Sequence, residues 1–236
     1  MQKYISFDIE IAKVPTSEDW KSERPLGISC AATLSSDGFL TTWQSYVDGA
    51  YAPQMDKVSL YELVQYLVQT TQRGYKILGF NSLGFDFDIL AEESGLHEAC
   101  ADLALNHVDI MFQFLCTKGF PVSLDALSRG MGLEGKTKDM SGAKAPQMWA
   151  SGDPVVQAEV LDYVSQDVRT TLELARAIEK REMAQWVSRS GRMNTCVFPG
   201  GLRTVRESLG IPRPQTNWMT NPLTREGFYA WAEAAS

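Results

Sequence analysis

The stretch YISFDIEIAK, residues 4–13, alternates apolar and β-forming residues but carries two acids, Asp8 and Glu10. Residues two apart on a strand share one face, so these carboxylates point the same way. A strand from the interior of a sheet cannot hold two like charges side by side unless a cation bridges them or one is protonated. That leaves two readings of the stretch. Either it is a solvent-facing edge, or it is a central strand with a positive partner opposite its acids.

The rest of the chain decides which fold must hold this strand. ISCAATLSSDGFLTTWQSY reads as two β runs joined by a polar SSDG turn, a β-hairpin. SLYELVQYLVQTTQRG predicts a helix, with Ser59 and Glu62 as a capping box, an apolar stripe of Leu60, Leu63, Val64, Leu67 and Val68, and Gly74 to end it. YKILGFN predicts a further strand and FDFDILAEESG the start of a helix. VDIMFQFLCTKG and SLDALSRGMG predict two helices separated by a Gly-Phe-Pro break. Residues 134–153 lack clean periodicity and read as a loop with a basic cluster at Lys136 and Lys138. A long helix starts at Asp153 as N-cap with Pro154 at its first position. This succession implies an α/β domain with a mixed sheet flanked by helices, and puts the two acids on a central strand. A domain over residues 1–190 and an irregular C-terminal extension over 191–236, packed on the core and carrying one or two short helices, are expected.

At 236 residues the chain suits one domain with an appendage and can bury a real core. A formal net charge of -7 and a pI near 5.0 argue against a generic basic nucleic-acid coat. They leave room for an enzyme whose acids gather around metal ions, since the ions then supply the local positive field. Cysteines at 30, 100, 116 and 196 form no CxxC pair, and the two histidines, His97 and His107, make poor material for a zinc site. Buried thiols in a reducing compartment are expected, as is a cytoplasmic location, with no signal peptide or membrane span in the pattern.

Two further acidic features accompany the first strand. In GFNSLGFDFDILAEESG the chain leaves a strand through a Gly/Asn/Ser turn and enters a helix with Asp86 in its first turn. An ordinary reading is a helix N-terminus favoured by the dipole, with Asn81 closing an Asx turn and Asp88 facing water. In YVSQD, Tyr163 and Asp167 stand four apart and therefore one above the other on a helix. Val160, Val164, Thr171 and Leu172 lie nearby on the wheel, so this face is at least partly buried and its carboxylate needs a partner.

FDIE on a first strand, NSLGFD at a strand-to-helix turn and YVSQD on a later helix resemble the three motifs of the DEDD (DnaQ-like) superfamily of 3′–5′ exonucleases, which have a ribonuclease H-like fold. GLEGKTKDMSG resembles the Gly-Lys-rich connector before the third motif in stand-alone exonucleases akin to the proofreading domains of family B DNA polymerases. The resemblance covers about residues 3–182. Its branches differ in the residue that holds the attacking water, a His five positions or a Tyr four positions before the last Asp. Here those positions hold Asp162 and Tyr163, which matches the Tyr (DEDDy) branch.

The resemblance implies that Asp8, Glu10, Asp86 and Asp167 hold two divalent ions, Mg2+ or Mn2+. In that scheme Asp8 contacts both ions and Asp167 anchors the one that activates water. Glu10 steadies that water or its ion, and Asp86 acts through waters on the second ion. Tyr163 orients the nucleophilic water, because a phenol with a pKa near 10 is poorly suited to deprotonate it at neutral pH. The implied reaction releases nucleoside 5′-monophosphates from the 3′ ends of single-stranded DNA. RNA as substrate, a catalytically silent nucleic-acid-binding module and an aspartyl-nucleophile phosphatase are the alternatives. A polymerase or replication partner is left unspecified.

Substrate contacts are expected from Asn81, and from Lys136 and Lys138 with help from Arg129, although a solvated basic loop explains the lysines equally well. Phe7 and Phe85 flank the acids. They either stack on terminal bases or belong to the core. Asp109 is expected as a helix N-cap and His107 in a local hydrogen bond. Trp218, Phe228, Tyr229 and Trp231 are expected to pack onto the core.

Overall fold

A computed structural model gives the fold; it describes residues 2–17, 19–133, 142–188 and 190–234. Strands β1 (Tyr4–Ile11), β2 (Ile28–Ser35) and β3 (Leu40–Trp43) open the chain, followed by the short pair β4 (Tyr46–Val47) and β5 (Ala50–Tyr51). Helix α1 (Lys57–Gln72) leads to β6 (Lys76–Gly79), then α2 (Asp86–Ser94) and α3 (His97–Asn106). The two-residue strand β7 (Val108–Asp109) runs straight into α4 (Ile110–Lys118). After it come α5 (Leu124–Gly130), α6 (Ala145–Trp149) and the long α7 (Pro154–Arg181). A hairpin of β8 (Met183–Val187) and β9 (Met193–Val197) and helices α8 (Val205–Leu209) and α9 (Glu226–Ala234) complete it.

The main sheet has the order β3-β2-β1-β6-β7, with β1 antiparallel to β2 and parallel to β6, and β6 parallel to β7. This is the mixed α/β sheet that the sequence predicts, and β1 lies at its centre. Ile5, Phe7, Ile9 and Ile11 face one core with Leu63, Val64 and Leu67 of α1 and Phe87 of α2. Tyr4 of the same strand, with Cys30, Ala32 and Leu34 of β2, faces the other core against Val160, Val164 and Val168 of α7. Period-2 alternation therefore turns Asp8 and Glu10 toward α7. The carboxyl ends of the parallel strands β1, β6 and β7 converge at one rim, where open α/β sheets bind their ligands.

Several local expectations shift. The cap of α1 is Asp56, whose side chain accepts from the Ser59 N–H at 2.8 Å. Ser59 instead turns its hydroxyl to Ser45 (2.8 Å), and Glu62 is exposed, so the Ser59/Glu62 capping box does not form. Asp88 is buried at 5% exposure, pairing with Arg24 at 2.8 Å and Lys21 at 3.7 Å, where the sequence reading left it facing water. Helix α3 has no side-chain cap, and α6 is a five-residue turn, which explains why neither shows in the pattern. The N-cap expected at Asp153 is present and accepts from Val155 N–H at 2.9 Å. The four cysteines are all buried and unbridged. Among the described residues no helix is long and apolar enough to cross a membrane.

The expected boundary at residue 190 falls between β8 and β9, which pair with each other from Met183↔Val197 to Val187↔Met193. Gly130 of α5 sits against this hairpin so closely that a Cβ there would come within 2.1 Å of the Gln185 carbonyl oxygen. Downstream, the buried guanidinium of Arg225 donates to four main-chain carbonyls. Nη1 reaches Leu209 (3.2 Å) and Ile211 (2.7 Å), while Nη2 reaches Cys116 (2.8 Å) and Pro212 (3.3 Å). Trp231 Nε1 donates to the Leu83 carbonyl at 2.8 Å, and Phe228 packs on Phe112 with ring centroids 6.0 Å apart. Of the tail aromatics, Phe228, Tyr229 and Trp231 thus pack on the core as expected, while Trp218 stays 71% exposed.

Arg225 fixes the tail by a fork geometry that an ammonium cannot copy. Arg225→Ala is expected to cost about 2–4 kcal/mol by stranding several buried carbonyls. Arg225→Lys should recover only part of the loss. Urea unfolding monitored by circular dichroism reads both.

Candidate acidic active site

The motif positions converge on one rim of the sheet. Asp8 and Glu10 leave β1 toward α7, whose Asp167 comes down onto them, and donor oxygens of these three residues all lie within 4.8 Å of one another. Glu10 is 5% and Asp167 7% exposed, while Asp8 is half-buried. The β1–β2 register shifts between Glu10 and Ile11, a bulge that bends the strand where its second acid is presented. The Ser29 hydroxyl donates to the Glu10 carbonyl oxygen at 3.0 Å beside that irregularity.

Asp86 enters from the turn after β6. It is 3% exposed, its Oδ1 accepts the Ile9 N–H at 3.0 Å, and its carboxyl meets that of Asp8 in a side-chain hydrogen bond. Burial, opposed by these hydrogen bonds, pushes its pKa up to about 7. Tyr163 stands one turn before Asp167 on α7 and is 5% exposed. Burial pushes the Cys30 thiol up, and the charges of Glu10 and Asp8 push it the same way.

The turn that delivers Asp86 is held by another acid. Asp109, 1% exposed, accepts from Asn81 N–H (3.0 Å), Leu83 N–H (2.9 Å) and Phe112 N–H (3.0 Å). It is the N-cap of α4, as expected, and also the tie that holds residues 81–83. Asn81 itself adopts a left-handed φ of 67°, a conformation asparagine tolerates better than most residues. His107 packs its ring edge-on to Phe87, makes the expected local hydrogen bond with the Ala104 carbonyl and reaches Ser82 Oγ at 3.3 Å across the fold. Burial lowers its pKa despite Asp109 3.9 Å away.

The acids open into a cleft of about 660 Å³, reached by Asp8, Asn81, Asp167 and Thr171. Among the described residues, Asn81 is the expected substrate contact that lines this cleft. Phe7 is 1% exposed on the opposite sheet face, 5.3 Å from the Phe87 ring, so it is a core residue that cannot reach a ligand at the acids. Phe85 caps α2 and lies edge-on to Trp20 at 5.1 Å. Arg129 pairs with Asp125 (Nε–Oδ1 2.9 Å) at the surface. Lys136 and Lys138 lie outside the described residues. Phe80, Met111, Leu223 and Phe228 also line the cleft, a role the sequence does not predict for them. Leu223 and Phe228 come from a segment remote in the chain, and no local pattern marks them.

Among the described residues, the clustered donor atoms of Asp8, Glu10 and Asp167 are all carboxylate oxygens, with the Asp86 carboxyl joined to Asp8, and this forms a hard-oxygen donor set. That chemistry fits Mg2+ or Mn2+ and not a soft metal.

Comparison with known proteins agrees with the topology. The family B DNA polymerase from the hyperthermophilic archaeon Pyrobaculum calidifontis has a similar fold, with a TM-score of 0.56 and 21% identity over 75% of this chain. The likeness takes in 24% of the polymerase chain. No curated protein matches the sequence. The RNase_H_2 family model, of the RNase_H superfamily, matches residues 38–179, from the β2–β3 turn almost to the end of α7. That span holds Asp86, Tyr163 and Asp167 and begins after Asp8 and Glu10. With well over half of its length matched, the chain belongs to the RNase H superfamily.

Proposed function

We propose that the protein is a metal-dependent 3′–5′ exonuclease of the DEDDy type, hydrolysing phosphodiester bonds at the 3′ ends of single-stranded DNA and releasing nucleoside 5′-monophosphates. The observation that carries this reading is the meeting of Asp8, Glu10 and Asp167 within 4.8 Å, with Asp86 joined to Asp8, at the mouth of a cleft. The resemblance of the Tyr163–Asp167 pair to the third exonuclease motif supports the branch.

When bound, a pair of divalent ions would polarise the scissile phosphate and lower the pKa of an attacking water. The residues supply the rest. Asp8, Glu10 and Asp167 would be the principal holders of the ions, with Asp86 supporting from behind Asp8. Tyr163 would accept or donate a hydrogen bond to the nucleophilic water and fix its direction. Asn81, at the cleft, would contact the terminal nucleotide. Burial of Glu10, Asp86 and Asp167 keeps bulk water from the carboxylates and strengthens their electrostatic grip.

Digestion of 5′-labelled single-stranded DNA with Mg2+ or Mn2+ is expected to give a ladder that shortens from the 3′ end. Asp8→Ala and Asp167→Ala should each lower the rate by about 10²–10³-fold or more, as several kcal/mol of charge stabilisation are removed. Activity unchanged by both substitutions, or no cleavage by folded protein, sinks the reading. A parallel digestion of RNA reports how far the sugar matters. Tyr163→Phe should lower kcat by about 10²-fold while KM changes little, the signature of lost positioning.

The raised pKa of Asp86 gives an independent measurement. Because its folded value, about 7, lies above the ordinary 3.8, stability is fully present below about pH 4 and is lost as pH rises through 7. Asp86→Asn keeps the acceptor for the Ile9 N–H and removes the buried charge. In EDTA at pH 8 the variant is therefore expected to be more stable than the wild type by roughly 1–4 kcal/mol. The difference should vanish near pH 4, and Mg2+ should raise the wild-type melting temperature at pH 8 far more than that of the variant.

A further inference from the structure

We infer that the C-terminal segment supplies the nucleobase wall of the cleft: Leu223 and Phe228, with Phe80 and Met111, receive the terminal base of a single-stranded nucleic acid whose phosphate meets the acids. The inference rests on the nuclease reading and names a part of the cleft contributed from beyond the family-matched span, which ends at residue 179.

The cleft has both charged and apolar lining. Asp8 and Asp167 line it together with Asn81, Ser123, Asp125 and Thr171, and the rest of its lining is apolar, including Phe80, Met111, Leu223 and Phe228. Leu223 is 51% exposed, a large apolar group left against water in the cleft that Asp8 and Asp167 also line. A nucleotide has both characters as well, with a charged phosphodiester at one end and a flat, largely apolar base at the other. Aromatic and aliphatic walls hold bases by their faces, which tolerates any of the four.

The wall is also held rigid, so it needs little ordering when a base arrives. Phe228 is seated over Gly84, where a Cβ would come within 2.8 Å of its ring, and against Phe112. Arg225, three residues before Phe228 and two after Leu223, is locked by its four carbonyls. Trp231 ties the same helix to the Leu83 carbonyl, within the turn that delivers Asp86. One stretch of chain thus braces the acid-bearing turn from behind and faces the substrate in front.

The test compares 5′-fluorescein single-stranded DNA ending in a normal nucleotide with the same strand ending in an abasic residue. Fluorescence anisotropy with the Asp167→Ala protein gives binding, and kcat/KM for removal of the last residue is measured with all acids intact. The abasic end is expected to be about tenfold worse in both, from the loss of a single stacked base. Leu223→Asp should shrink that ratio to about twofold, chiefly through KM, with Leu223→Gln giving a milder drop and both variants melting near the wild-type temperature. An undiminished ratio in both variants, or no discrimination in the wild type, overturns the wall while normal cleavage would leave the nuclease reading standing. Failure to bind or cut either strand overturns both.

Discussion

The buried carboxylate of Asp109 holds the site in place. It sits at the end of a two-residue edge strand and takes three main-chain N–H groups, one from its own helix and two from the turn after β6. A carboxylate so placed is stable only because its acceptors are filled. The turn it secures has one course: Asn81 goes left-handed, Phe87 N–H closes back on the Ser82 carbonyl at 2.9 Å, and Asp86 becomes the first residue of α2. Asp86 then accepts the Ile9 N–H of the central strand. Two acids in series therefore fasten β7 to β6 and β6 to β1, so the carboxyl ends of all three parallel strands are locked to a common rim.

That rim concentrates negative charge in a chain already at -7. Asp8, Glu10 and Asp167 share a few ångströms, and Asp86 joins Asp8 from a buried position that raises its own pKa. Strain of this kind persists only where the surrounding structure over-determines it. Here β1 is buried on both faces, α7 spans 28 residues across the sheet, and the bulge at Glu10 is pinned by Ser29. The fold supplies a stable frame so that a locally unfavourable cluster can await a cation.

Much of this was legible from local pattern. The strand carrying Asp8 and Glu10, the hairpin after it, the Asp153–Pro154 start of the long helix and the Asp109 cap each follow from residues within a few positions of one another. The misses have a common physical origin. Asp88 was misplaced because its partners, Lys21 and Arg24, lie more than sixty residues upstream. For Phe7 the sequence leaves base stacking or the core open, and it is the pleat that places it in the core on the face opposite the acids. The cap of α1 fell to Asp56 because tertiary contact with Ser45 claimed the Ser59 hydroxyl. Where a residue's role depends on what another segment brings to it, local pattern is silent.

The tail packs on the core, as its aromatics predict, but through attachments that lie far apart in the chain. Its Gly- and Pro-rich composition suggests an irregular appendage, and a boundary near 190 follows naturally from it. Yet Val205 and Ala232 are fully within the core that also holds Phe7 and Phe87, and Val205 N–H donates to the His107 carbonyl at 2.9 Å. His107 is two residues from Asp109, so the tail is bonded to the same short segment that organises the acidic rim. Arg225 adds four more main-chain attachments, one of them to Cys116 of α4, the helix Asp109 caps. A segment with these attachments acts on the cleft both through the wall it contributes and through the strand end it braces. Its irregular sequence reflects the path it must follow around α4 and the Leu83 turn, where turns and single anchoring side chains serve better than regular structure.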